Sequence, residues 1–85
     1  LEFDHSKSQS NKIKHGIDFH EAELIWQDPD FVELEAIPFD DESRCIIVGR
    51  IGQKHWSAVI TYRGENIRII SVRRSRKVEI KIYES

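Results

Sequence analysis

The apolar residues of this chain change period near its middle. Ahead of Pro29, Phe19, Ala22, Leu24, Ile25 and Trp26 form a mostly apolar helical face, which Pro29 prevents from continuing far. Beyond it the runs shorten and read as strands: "FVELE" as a half-exposed one, "RCIIVGRI" as a buried one, and "HWSAVITY" as a third with nearly continuous apolar residues. "RGEN" carries the chemistry of a hairpin turn, and "NIRIISV" follows as a fourth strand in which Arg68 alternates with Ile67 and Ile69.

Local signals set the helix ends. "LEFD" reads as a short first strand, and Asp4 or Ser6 can cap a first helix running to about Lys14. There "KHG" places cations against exposed carbonyls, and Gly16 can take the left-handed position. Asp18 can cap the second helix, with Glu21 three residues on to complete a capping box. After Ser75 the segment is ambiguous: Val78, Ile80 and Ile82 alternate like a strand, while Val78 and Ile82 share one helical face. The expectation is a short C-terminal helix. The fold class is therefore α+β, two N-terminal helices packed on an antiparallel β-meander with a short helix at the end.

Length makes residues 1–85 a single domain with one modest core. A lone Cys45 excludes an internal disulfide and fits a reducing compartment, and no apolar run reaches the roughly 18 residues of a membrane helix. The expectation is a cytoplasmic protein without membrane contact. The chain has no methionine, so Leu1 is not a translation start and residues before it are expected.

A net charge of −2 conceals a division. Between Asp18 and Glu42 lie ten carboxylates and no Lys or Arg, Asp40, Asp41 and Glu42 among them. From Arg63 to Lys81, seven cations face only Glu65 and Glu79. A partner meets these local potentials and not the average.

Two blocks of residues carry a resemblance. "FD" followed by Lys7, Asn11 and "KHGIDFHEA", then much later "RGENIRIISVRRS" and a terminal "YE", resembles the BrnT toxins of bacterial type II toxin–antitoxin modules. The resemblance spans nearly the whole chain and implies a compact RelE-like ribonuclease that inhibits translation without a metal or other cofactor. It also implies a BrnA-type antitoxin with a ribbon-helix-helix DNA-binding part, the complex repressing its own operon. Operator DNA would then be met only through the antitoxin. The chain departs from the family in its last segment, where Val78, Ile80 and Ile82 replace a more basic, more plainly helical end.

Metal-free RNA cleavage needs a base for the 2′-hydroxyl proton, cations for the charge growing on phosphorus, and an acid for the leaving oxygen. Arg68 and Arg73 are the candidates for the cations, because a guanidinium forks onto phosphate and stays charged. His15 is a candidate general acid or base, Glu79 a candidate base, and Tyr83 a candidate acid or stacking platform. Lys14, Arg63, Arg74, Arg76 and Lys77 would position the RNA backbone. His5, His20 and His55 lack metal-ligand spacing and read as surface histidines, Trp26 and Trp56 read as core, and Cys45 reads as a small buried hydrophobe. The acidic stretch can receive a basic segment of the antitoxin. A non-catalytic interaction module of the same fold is the alternative. Direct DNA binding by this chain is disfavoured, since its second helix is acidic.

Overall fold

In a computed structural model, which describes residues 1–35 and 43–85, the chain folds as α1 (His5–His15), α2 (Phe19–Ala22) running into a 3-10 helix (Glu23–Gln27), β1 (Val32–Glu35), β2 (Arg44–Ile51), β3 (Lys54–Arg63), β4 (Asn66–Arg74) and α3 (Lys77–Glu84). The strands form one antiparallel sheet in chain order, β1-β2-β3-β4. The expected α+β meander and C-terminal helix are both present. Asp40, Asp41 and Glu42 of the acidic stretch lie outside the described residues.

Caps form as their chemistry dictates. The Asp4 carboxylate accepts the Lys7 amide at 3.1 Å, and Gly16 ends α1 with φ of 80°, a conformation that costs a residue without Cβ nothing. Asp18 and Glu21 make the reciprocal capping box, at 2.7 and 3.0 Å. After Ala22 the helix tightens. Three residues per turn then align Phe19, Ala22 and Ile25 on the buried side. Leu24 is thereby turned out to solvent, against the expectation that it joins the core.

Helices and sheet enclose a core of Ile17, Phe19, Ala22 and Ile25 against Ile47, Trp56, Ala58, Ile60, Ile69 and Val72. Trp26 packs at its edge, so both tryptophans serve the core. At Gly49 the sheet meets Ile25 so closely that a Cβ would lie 2.9 Å from Ile25 Cγ2.

Two features of β4 were hidden in the alternation pattern. Ile60 pairs with Ile69 and Val59 with Ser71, so Ile70 is an extra residue that forms a bulge. The inserted residue shifts the alternation by one, and Arg73 consequently shares a face with Arg68 while Val72 turns into the core. The outer edge of β4 is also partly sealed. The Glu2 amide donates to Ile67 and Glu2 accepts from the Ile69 amide, while the Asn11 side chain accepts from the Val72 amide and donates to its carbonyl. The expected first strand is thus reduced to a one-residue parallel bridge, because Asp4 starts the helix two residues later.

The other face of the sheet is covered at one end by α3. Val48 and Ser57 are opposite each other in the register and fully buried there, and Ser57 bonds to Glu79 of α3. Among the described residues, no helix is long and apolar enough to cross a membrane.

Candidate functional site

The residues singled out by sequence fall into separate places. Lys14 and His15, in the last turn of α1, line a groove of about 180 Å³ together with Lys7, Ser10, Asn11, Ile70 and Ser71. Positions 7, 10, 11 and 14 fall one helical turn apart, which puts them on the α1 face toward β4. The bulge at Ile70 lies opposite them, between the stretch of β4 edge held by Glu2 and the stretch held by Asn11. Asn11 closes the floor: its amide donates to the carbonyls of Ile17 at 2.8 Å and Val72 at 2.9 Å. Three cationic or protonatable side chains and two hydroxyls thus surround an opening with no carboxylate in its lining. Such a groove suits a phosphate, with His15 the group able to move a proton.

Arg73 and Glu79 come together elsewhere, at the junction of β4 and α3. The Arg73 guanidinium donates to both Glu79 oxygens at 2.8 Å each, the Arg76 amide donates at 2.7 Å, and the Ser57 hydroxyl at 2.9 Å. Ser57 spends its one proton on Glu79, so the Ser75 hydroxyl, 2.7 Å away, must be its donor. Glu79 is only 5 % exposed. The fork from Arg73 outweighs the cost of burial and, helped by the amide and the hydroxyl, holds the Glu79 carboxyl at about 2. A carboxylate so held is a poor proton acceptor. Arg73, with Glu79 in its fork, presents little net charge, and both side chains act as a pin between sheet and helix.

Around this pin, Arg74, Arg76 and Lys77 are exposed and form a basic rim, Arg74 lying 5.5 Å from the Trp56 ring centre and donating to the His55 carbonyl. Tyr83 points to a different cluster. Its hydroxyl donates to Asp28 at 2.7 Å, which raises it to about 12, and its ring meets His55 edge-on. Burial opposes ionisation of Asp28, but bonds from Tyr83 and from the Arg50 and Asp30 amides bring it below the usual carboxylate range. His55 is half-buried and bonded to Glu84 at 2.8 Å, not a surface histidine as its sequence context suggested. Arg68 is half-buried, 3.7 Å from Glu2, and Arg63 lies at the β3–β4 hairpin, the far end of β4 from Arg73.

Cys45 is half-buried, and burial, then Glu33, pushes its thiol up, which disfavours a thiolate. Among the described residues, no three His, Cys, Asp or Glu side chains gather as metal ligands. Sequence reasoning missed Ser10, Ser57, Ser71 and Ser75. For Ser10 the signal was available in its helical spacing from Lys7 and Lys14; the others depend on strand register.

A family model described as ribonuclease toxin, BrnT, of type II toxin-antitoxin system matches residues 3–79. No curated protein matches the chain.

Proposed function

The chain belongs to the BrnT family of ribonuclease toxins of type II toxin–antitoxin systems, and from that premise we propose that it is a cytoplasmic, metal-independent endoribonuclease that inhibits translation until a BrnA-type antitoxin binds it. The observation that supports this reading is the convergence of the two family-like blocks, Lys7 to His15 and Ile70 to Ser71, on one cationic groove. In it His15 takes the 2′-hydroxyl proton as the 2′-oxygen attacks phosphorus, Lys7 and Lys14 balance the charge on the phosphorane, Ser10 and Ser71 hydrogen-bond to phosphate oxygens, and the P–O5′ bond breaks with the 5′-oxygen taking a proton from solvent water at the open groove. Arg74, Arg76 and Lys77 carry the flanking backbone, and Arg73 positions them through its bond to Glu79. Operator DNA is reached through the antitoxin complex.

The test is RNA cleavage by the purified chain in the presence of a chelator, with the product ends identified. A 2′,3′-cyclic phosphate that vanishes in a folded His15→Gln variant supports the assignment. Cleavage that stops on chelation removes metal independence, and cleavage unaffected by the variant removes His15. A second reading, a non-catalytic partner-binding module, draws on the mutual neutralisation of Arg73 and Glu79. Absence of cleavage by the folded wild type, on free RNA and on translating ribosomes alike, would select it.

A further inference from the structure

We infer that the outer stripe of α3, formed by Val78 and Ile82, is where the antitoxin seats an amphipathic helix carrying carboxylates on its flanks; this rests on the reading of the chain as a toxin held by an antitoxin. The helix is built in reverse of the usual order. It buries Glu79 and directs Tyr83 inward to Asp28, whereas Val78 and Ile82 are 62 % and 42 % exposed. Four residues apart, these two side chains stand one above the other and form a ridge that a second helix can straddle.

The charge around the ridge selects the partner. Lys77 and Lys81 lie on the same helix, exposed and without an ion pair among the described residues, and Arg74 and Arg76 are exposed just before it. The carboxylates of α3 are already committed, Glu79 to Arg73 and Glu84 to His55. A nucleic-acid backbone would satisfy the cations but leave the apolar ridge in water. A helix with an apolar seam and acidic flanks satisfies both. The helix is also held to the sheet, since three hydrogen bonds from Arg73 and Ser57 pin α3 at Glu79 and a fourth joins Tyr83 to Asp28, so little ordering is required on binding. Ile13 on α1 is more exposed, at 89 %, but stands without an apolar neighbour on its helix. A helix seated on α3 also covers Lys77 and Arg76 of the basic rim, so the same contact withholds that rim from RNA.

The test measures binding of the full chain to the antitoxin expressed from its own operon, by fluorescence anisotropy, alongside RNA retention. The Val78→Ser/Ile82→Ser double variant is expected to lose at least about thirtyfold in affinity with an unchanged urea unfolding curve. Lys77→Glu/Lys81→Glu is expected to slow association at low salt about tenfold. Ile13→Ser is expected to bind within twofold of wild type. If the double serine variant binds within threefold of wild type, this surface is wrong although the toxin–antitoxin pairing stands. If it keeps the antitoxin and loses RNA, the stripe belongs to the RNA face and the inference falls. Failure of the folded wild-type chain to bind the antitoxin would sink the pairing itself, and the inference with it.

Discussion

At Glu79 four donors meet one buried carboxylate, so its ionisation is tied to folding. Its pKa drops from 4.5 to about 2 in the folded chain. The depressed value means that the stabilisation is complete above about 4.5 and is lost as pH falls toward 2, a difference of about 3 kcal/mol. Glu79→Gln should therefore unfold at lower urea than wild type at pH 7, by about 3 kcal/mol, because it leaves the half-buried Arg73 without its counter-charge. The gap should close as pH falls from 4.5 to 2. A gap that stays constant across that range would show that the carboxylate charge is not the source. His15 makes the contrasting case. It is exposed in the last turn of α1, where a cation steadies the helix end by under about 1 kcal/mol. His15→Gln should thus change stability little yet slow RNA cleavage at least about 100-fold if it moves the proton. Loss of stability with cleavage intact would reduce it to a helix-end residue.

Among the elements, β2 and the 3-10 helix approach closely at Gly49. Gly49 faces Ile25, and a methyl there would sit 2.9 Å from Cγ2 and 3.1 Å from the carbonyl oxygen of Ile25, with Phe31 Cβ at 3.3 Å. Neither a β-branched carbon nor a backbone carbonyl can step aside without moving the helix. Gly49→Ala should cost about 1–3 kcal/mol by urea denaturation, whereas substitution at an open surface position should cost almost nothing. This contact also shows where sequence reading stops. Caps at Asp4, Asp18 and Gly16, the hairpin turn and the four strands follow from short-range chemistry, and all could be read directly. Ile70 as a bulge, Leu24 turned outward by a tightened helix, and Glu79 buried on α3 depend on what packs across from them. The candidate groove needed the same information. Lys14 and His15 were legible as candidates, but only the fold brings Ser71 to them and turns Arg73 away toward Glu79.

Over the whole molecule the charges are divided more finely than the sequence suggests, and this decides what salt should do. Much of the acidic stretch is spent locally: Asp18 caps a helix, Glu21 binds Lys12 at 2.7 Å, Asp28 anchors Tyr83, and Glu33 accepts from Tyr62, whose hydroxyl is raised to about 12. Among the described residues, the cations lining the α1–β4 groove and the rim at α3 have no carboxylate partner, Arg74 lying over Trp56 and donating to the His55 carbonyl. If RNA follows β4 from the groove to the rim, Lys7, Lys14, Arg74, Arg76 and Lys77 each meet a phosphate. With about 0.7 counterion released per phosphate on a single strand, log K should fall with log salt at a slope of about −3 to −4. Lys14→Ala should flatten that slope by about 0.7 while weakening all sequences alike, and Lys12→Ala, on a cation already paired with Glu21, should leave it unchanged. Filter binding of a short single-stranded RNA across a salt series measures both. A slope near zero, or equal effects of the two lysine variants, would mean that RNA does not follow this path and that the positive edge serves a protein partner alone.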